Sequence, residues 1–293
     1  MTDILKMLFI YGVGIVIVPW AVISLGGLHV LSEGLGGKIN DLSIFGSNST
    51  RIFLTFGLPT TIGLLSGPFG DQTFWQRTFA LKKEKVQSAF LRGALLFSVV
   101  PILMSFLGFA AAGSGLQISD PQMVNLEVVS KSLSTNATWV FVFMILAALI
   151  SILDTKLTGI ASLGAHDFAN RIFKTENATY HQIKWISRLS MVTLVIAALA
   201  LANIPNLKIL HLFLFYGTLR SSSVIPTILL ILGKTLNEKF VFWGIITSLV
   251  VGLPIFAFGN LQQEPSLIVA GSLLTIGCSG LIAWIGSKPI KIF

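Results

Sequence analysis

Charged residues are scarce in this sequence, and their scarcity excludes an ordinary soluble domain. Only 11% of the 293 residues are charged, whereas soluble proteins carry roughly a quarter. The single cysteine, Cys278, excludes a framework of disulfides. Hydrophobic residues make up 54% of the chain and occur in blocks of about twenty, the length that crosses a bilayer core of about 30 Å. The composition therefore predicts an all-α, polytopic helical membrane protein.

The hydrophobic blocks predict about eight transmembrane helices within one membrane domain that covers residues 1–293. Transmembrane strands alternate in polarity and run about ten residues, so blocks of this length exclude a barrel of strands. Residues 32–51 and 113–137 are polar connections on the predicted outer side, long enough to fold over a vestibule. The predicted spans are residues 4–25, 52–70, 93–116, 138–164, 184–204, 209–232, 240–259 and 267–287.

The basic residues predict the orientation of these spans. With a cytoplasmic N-terminus, fifteen of the 20 lysines and arginines fall on the inner side, Arg220 among them, and four on the outer side, while Lys156 falls inside a span. This bias predicts a multi-pass protein of the plasma (inner) membrane with both termini cytoplasmic. Because the charge is spread over short loops, the net charge of +8 does not indicate a nucleic-acid partner.

The second span is interrupted near its inner end. Gly67, Pro68 and Gly70 break the helix there, and Asp71 and Gln72 follow as polar side chains at membrane depth. Irregular backbone at this depth is tolerated only where it lines a cavity or is buried in protein, and interrupted helices form the binding sites of many secondary transporters. The alternative is a kinked helix that simply ends at the interface.

Three motifs carry a resemblance to one family of membrane proteins. The segment Asp71-Gln72-x-x-Trp75-Gln76-Arg77-x-x-Ala80, followed by a basic loop, is similar to the segment after core helix 6 of the sodium/solute symporter family. The run from Ala147 to Thr155, continued by Ala161-Ser162 and His166-Asp167-Phe168, resembles core helix 8. Thr2-Asp3, with an apolar run that ends in Pro19-Trp20, resembles the opening of core helix 5.

This resemblance implies a partial inverted-repeat fold of the LeuT type. The chain would hold core helices 5 to 10 and two C-terminal helices, with the first repeat largely missing. The implied function is secondary active transport of a small polar solute across the lipid bilayer by alternating access, with a separate chain as a candidate supplier of the first repeat. The motif wording and Val100-Pro101 favour urea-type over sugar-type members, and proline-type members stay open. The alternative is a non-transporting membrane module, such as a sensor or accessory subunit, or a degenerate fragment of a symporter.

The resemblance also implies an ion site on the serine-bearing helix. The family holds sodium there with a carbonyl and two hydroxyls, which correspond to Ala148, Ser151 and Ile152; because Ile152 lacks a side-chain oxygen, the site is incomplete. Apart from sodium, we expect no cofactor. Charged groups inside membrane spans are functional candidates, so Asp154, Lys156 and Asp3 are candidates for coupling. One hypothesis places the Lys156 ammonium where the cation would bind; the alternative is that Lys156 snorkels to the inner interface.

The candidate solute-binding residues surround the interrupted helix. They are Gly67, Pro68, Asp71, Gln72, Thr60 and Tyr216. Tyr216 opens the run Tyr216-Gly217-Thr218-Leu219-Arg220-Ser221-Ser222, which precedes Pro226 and resembles core helix 10; an interfacial aromatic is the alternative for Tyr216. We expect the break to face a polar cavity opposite the serine-bearing helix.

An enzymatic function has little support. The four histidines are dispersed, and no pattern of a metal site, a phosphate loop or a nucleophile with its base occurs in the sequence. The sequence therefore predicts that the chain is not an enzyme.

Overall fold

The computed structural model describes residues 2–35, 47–165, 179–205 and 207–289, and these residues are almost entirely helical. Helices α1 to α7 span Thr2–Ser24, Leu28–Gly34, Ser47–Ile52, Leu58–Leu65, Gly67–Gly70, Gln72–Phe79 and Lys83–Gly113. Helices α8 to α14 span Val124–Ser132, Thr135–Leu163, Tyr180–Ala202, Ile209–Ser221, Val224–Ile231, Glu238–Gln262 and Pro265–Ile285. The predicted class of polytopic helical membrane protein is confirmed.

Seven stretches of helix within the described ranges are long and apolar enough to span a membrane. The predicted span 52–70 is not one of them, because it is divided into α3, a π turn at Phe53–Gly57, α4 and α5. Seven such stretches together with the interrupted block 52–70 agree with the prediction of about eight transmembrane helices. The connection between the predicted spans 52–70 and 93–116, which the sequence analysis treats as a basic loop, is mostly helix, since α6 and the charged first turns of α7 occupy it.

The chain divides into two compact units. One unit comprises Met1–Leu42 and Phe79–Ala200, and the other comprises Ser43–Thr78 and Leu201–Phe293. The candidate solute-binding residues all belong to the second unit, whereas the serine-bearing helix α9 belongs to the first. The predicted cavity between these segments stays a prediction.

The core of the first unit is formed by α1, α2, α7, α8 and α9. Val18, Leu107 and Phe141 are fully buried in it. The short helix α8, in the connection that sequence patterns left without structure, adds Val128 and Val129 to this core, both fully buried.

The connection between α7 and α8 is organised by Glu127. Its carboxylate accepts hydrogen bonds from the Ser119 hydroxyl at 2.5 Å, from the Ser119 and Asp120 amides, and from Lys131 Nζ at 2.9 Å. These donors, the Ser119 hydroxyl first, lower the pKa of Glu127 to about 2. Lys131 Nζ also donates to the Gln117 carbonyl at 2.5 Å. The ordered connection and the end of α7 line an open, mainly apolar cavity of about 620 Å³.

The second unit is held together by a hairpin of α13 and α14. Asn237 caps the start of α13 by accepting a hydrogen bond from the Lys239 amide at 3.0 Å. At the other end Gln263 adopts the left-handed conformation, with φ of 57°, and Pro265 opens α14, where its missing N–H costs nothing. A short antiparallel pair, β1 at Lys234–Leu236 and β2 at Ser287–Pro289, brings the far ends of the hairpin together.

Small residues let the two hairpin helices touch backbone to backbone. A Cβ atom at Gly252 would lie 2.7 Å from the Thr275 amide nitrogen, and one at Gly244 would lie 3.0 Å from the Ser279 carbonyl oxygen. Ser248, Ser272, Thr275 and Ser279 complete this interface, all fully buried. Helices in lipid gain little from the hydrophobic effect, so their association depends on such close packing.

We predict that Gly252→Ala destabilises the protein because the added methyl group has no room between α13 and α14. The expected loss is about 1–3 kcal/mol, visible as a lower unfolding temperature of the detergent-purified protein. Gly277→Ala on α14 is the matched control, since a Cβ atom there meets nothing within 4 Å. Equal unfolding temperatures for the two variants would contradict the packing described here.

Candidate functional site

The chain leaves its helical path at Asp71, as the glycines and proline before it predict. α5 ends at Gly70, Asp71 takes an extended conformation with φ of −114° and ψ of 110°, and α6 begins at Gln72. The Asp71 Oδ1 atom accepts hydrogen bonds from the Thr73 amide at 3.1 Å and the Thr73 hydroxyl at 2.7 Å. Asp71 is thus the N-cap of α6, a position for which its short carboxylate side chain is well suited.

A second and milder break lies between α11 and α12, inside the candidate span Ile209–Ile231, where Ser222 and Ser223 keep right-handed helical dihedrals. Three consecutive serines follow Arg220, and their hydroxyls donate to the carbonyls of Thr218, Leu219 and Arg220 at 2.6, 2.8 and 2.8 Å. These side chains satisfy carbonyls at the helix end that water cannot reach inside a membrane. The serine-rich sequence therefore stabilises the interruption.

Arg220 connects the two breaks. Its Nη1 atom lies 3.5 Å from Asp71 Oδ2, and its Nη2 atom donates to the Gly63 carbonyl at 3.2 Å. The guanidinium carbon lies 4.4 Å from the centre of the Tyr216 ring, a cation–π contact. The side chains of Arg220 and Asp71 are only 14% and 7% exposed, so this is a buried ion pair. We call Thr60, Gly63, Asp71, Tyr216 and Arg220 the Arg220 cluster.

Two glycines make room for this cluster. A Cβ atom at Gly63 would lie 2.7 Å from the Gly217 Cα atom, and one at Gly217 would lie 2.9 Å from the Gly63 Cα atom. α4 and α11 therefore cross in backbone contact. A Cβ atom at Gly70 would lie 2.9 Å from the Ser223 hydroxyl, so the two breaks also approach each other closely.

The structure brings together most of the predicted solute-binding residues. Asp71 and Tyr216 contact Arg220 directly, and Thr60 lines the same small cavity as Arg220. Gly67 is buried, and a Cβ atom there would lie 3.6 Å from Arg220 Nη1. Pro68 is exposed and Gln72 is half-buried; neither is among the contacts of Arg220 recorded in the described part of the chain.

Arg220 makes contacts in the structure that the charge count did not predict. The orientation count places it among the cytoplasmic charges and not among the site residues, but it lies within the candidate span Ile209–Ile231, and its side chain is only 14% exposed. The sequence does contain a signal for Arg220, because a charged residue in the middle of a membrane span is a functional candidate. That rule selected Asp154 and Lys156 but was not applied to Arg220.

The candidate ion-site residues lie on α9, which is continuous from Thr135 to Leu163. Ala148 and Ser151 are half-buried, and Ile152 is 59% exposed. The chemistry of these positions supplies one hydroxyl and one carbonyl, so the residues fit a sodium ion only in part. Sodium binding stays a prediction. The last part of the motif that resembles core helix 8, His166-Asp167-Phe168, lies outside the described residues.

Lys6 joins two of the coupling candidates, Asp3 and Asp154. The sequence analysis counts Lys6 only as one of the basic residues on the inner side of the membrane. Lys6 Nζ lies 2.5 Å from Asp154 Oδ2 and 3.7 Å from Asp3 Oδ1. This pair links α1 to α9 within the first unit, and the Asp154 side chain is 56% exposed. Lys156 is half-buried one turn beyond Ile152, and its role in coupling stays a prediction.

We predict that the Asp71–Arg220 pair shows strong energetic coupling. Asp71→Asn keeps the cap of α6 but removes the charge, and Arg220→Met removes the partner. Each single change leaves one buried charge without its counterpart and is expected to cost about 3–5 kcal/mol. The double variant removes both charges and is expected to lose less than the sum. Thermal unfolding of the purified variants measures this cycle.

The matched control is the exposed pair in the first unit. The cycle of Lys6→Met and Asp154→Asn is expected to give a coupling of about 0.2–1 kcal/mol, as for exposed ion pairs. Equal coupling energies in the two cycles would contradict the buried pair.

Comparison with known proteins adds evidence independent of this geometry. The sequence model of the sodium:solute symporter family matches residues 1–248. The chain is 26% identical over 236 residues to the osmoregulated proline transporter OpuE of Bacillus subtilis (strain 168), a match that covers 77% of this chain and 47% of that protein. It is 22% identical over 247 residues to the urea-proton symporter DUR3 of Oryza sativa subsp. japonica, covering 78% of this chain and 34% of that protein. The chain thus spans half or less of the length of these relatives. No solved structure matches it significantly.

Proposed function

We propose, since the chain belongs to the sodium:solute symporter family, that it takes part in secondary active transport of a small polar solute. The family is one of solute transporters, and the chain is a multi-pass membrane protein with seven helices of membrane-spanning length among its described residues.

The observation that carries the proposal is the meeting of two interrupted helices at the Arg220 cluster. Ending a helix inside a membrane exposes backbone groups that must be satisfied by protein or by a water-filled cavity. Secondary transporters use such breaks to bind solutes near the middle of the bilayer. In this chain the breaks at Asp71 and at residues 222–223 lie together and carry a buried ion pair. Alternating access would then require these segments to rearrange around the solute.

We infer that the solute is a small nitrogen-containing molecule such as urea or proline. The relatives named above carry these two solutes in their names. Both molecules combine an oxygen that accepts hydrogen bonds with a nitrogen that donates them. Arg220 offers donors and Asp71 offers acceptors, so the pair matches both ends of such a solute.

Cation coupling, the membrane and the partners are part of the same proposal. Asp154 and Lys156 are the proposed coupling groups, because Ile152 leaves the sodium site short of one oxygen. We place the protein in the plasma membrane with both termini cytoplasmic, since fourteen basic residues remain on the inner side after Arg220 is removed from the count. A separate chain that supplies the first repeat is the proposed protein partner.

The test is uptake of radiolabelled urea and proline by cells that express the chain and lack their own carriers. We expect saturable uptake of one of the two solutes. Arg220→Met is expected to reduce it at least about tenfold, the effect of losing about 1.4 kcal/mol of solute binding. Arg92→Met, which removes an exposed arginine of α7, should leave uptake unchanged.

Two results would count against transport by this chain. Binding of urea or proline to the purified protein without uptake would favour the non-transporting membrane module. Equal loss of uptake in Arg220→Met and Arg92→Met would show that the Arg220 cluster has no special part in it.

A further inference from the structure

Two buried polar atoms in the Arg220 cluster have no hydrogen-bond partner among the described residues. They are Thr60 Oγ1 and Arg220 Nε, each shielded from solvent. Both residues line one small cavity of about 10 Å³ between α4 and α11, whose other walls include Pro59, Phe213 and Leu214. The two residues that carry these unsatisfied groups therefore line the same small cavity.

Thr60, like Thr218, differs from other hydroxyl side chains of this unit, because its Oγ1 atom is buried without a hydrogen-bond partner among the described residues. Ser66 donates to the Ile62 carbonyl at 2.6 Å, and Thr78 donates to the Phe74 carbonyl at 2.8 Å, each to the preceding helical turn. The residues one turn before Thr60 instead form the π turn Phe53–Gly57. A buried hydroxyl without a partner is costly, so its retention requires an explanation.

The Arg220 side chain cannot rotate to give its Nε–H group a hydrogen-bond acceptor, because its other groups are held. Asp71 holds Nη1, the Gly63 carbonyl accepts from Nη2, and the Tyr216 ring lies against the guanidinium plane. The guanidinium group is rigid and planar, with its N–H donors in fixed directions. Because these three contacts hold the group in place, they also fix the direction of the Nε–H donor. The Nε–H group therefore remains buried and unsatisfied by the described residues.

We propose that this cavity binds one hydrogen-bond-accepting oxygen atom, held by the Nε–H group of Arg220 and the hydroxyl of Thr60. The cavity is close to the smallest space that holds one water molecule, so a single oxygen fits in the present arrangement. Both protein groups donate hydrogen bonds, which selects an acceptor and disfavours a cation. The oxygen has two candidate sources: a water molecule, or the carbonyl or carboxylate oxygen of a solute that enters when α4 and α11 separate. The second source rests on the function proposed above, whereas the first does not.

The unfolding temperature of Thr60→Val decides whether the cavity holds an oxygen. Valine has nearly the shape of threonine but no hydroxyl. With an oxygen bound, the variant loses one of its two hydrogen bonds, and the unfolding temperature should fall by roughly 2–4 °C. With an empty cavity, the variant only removes an unsatisfied hydroxyl, which is neutral or stabilising; an unfolding temperature equal to or above that of the wild type would overturn the proposal.

Two further variants support the interpretation. Thr61→Val changes the neighbouring threonine, which is exposed, and should leave the unfolding temperature unchanged. Thr60→Ser restores the hydroxyl and should unfold at a higher temperature than Thr60→Val. A fall in Thr60→Val no larger than that in Thr61→Val would also overturn the proposal.

The uptake kinetics of Thr60→Val then distinguish the two sources of the oxygen. A KM for labelled urea or proline raised about tenfold, with the maximal rate unchanged, identifies the solute's oxygen. An unchanged KM with a lowered unfolding temperature identifies a water molecule. Absence of uptake by the wild-type chain would count against the proposed function, but the unfolding temperatures would still decide whether an oxygen is bound.

Discussion

The buried ion pair between Asp71 and Arg220 is the interaction on which the described site depends. Each residue lies at a helix break, and each break leaves backbone groups that lipid cannot satisfy. Asp71 caps α6 while it pairs with Arg220, and Arg220 binds the Gly63 carbonyl while it pairs with Asp71. The pair thus neutralises two charges and orders two interrupted helices at once. A buried pair adds little net stability by itself, so its value lies in fixing one arrangement of these segments.

The two units of the chain handle charge in different ways. In the second unit the charged pair is buried, and glycines at positions 63 and 217 allow the backbones to approach around it. In the first unit Lys6 and Asp154 form a closer but more exposed pair at 2.5 Å. The pair in the first unit is therefore the more exposed of the two, and the pair in the second unit is the more enclosed.

Much of the fold could be predicted because its signals are local. Span lengths follow from apolar blocks, and the break near Asp71 follows from Gly67, Pro68 and Gly70. The motifs of the family also predict Asp71 and Tyr216 as candidate site residues, and both contact Arg220 in the structure. The interruption of the whole block 52–70 was underestimated, since the π turn at Phe53–Gly57 depends on hydrogen bonding that composition does not report.

The rest of the site depends on contacts between distant parts of the chain. Gly63 and Gly217 are ordinary membrane glycines in sequence, and only their crossing shows why a larger side chain would not fit. Arg220 was missed because a rule that counts basic residues by loop assigns each one a side of the membrane and ignores burial. Lys6 was missed for the same reason, since its partner Asp154 lies 148 positions away along the chain.

The most direct test of the central claim is a disulfide between the two breaks. Gly70→Cys and Ser223→Cys, combined in a Cys278→Ser background, place two thiols where a Cβ atom at residue 70 lies 2.9 Å from the side-chain oxygen of Ser223, a spacing compatible with a disulfide. After mild oxidation in the membrane and unfolding in denaturant, thiol titration should find both cysteines oxidised, while each single variant keeps its thiol. Two titratable thiols in the oxidised double variant would show that the breaks do not meet and would contradict the proposed site.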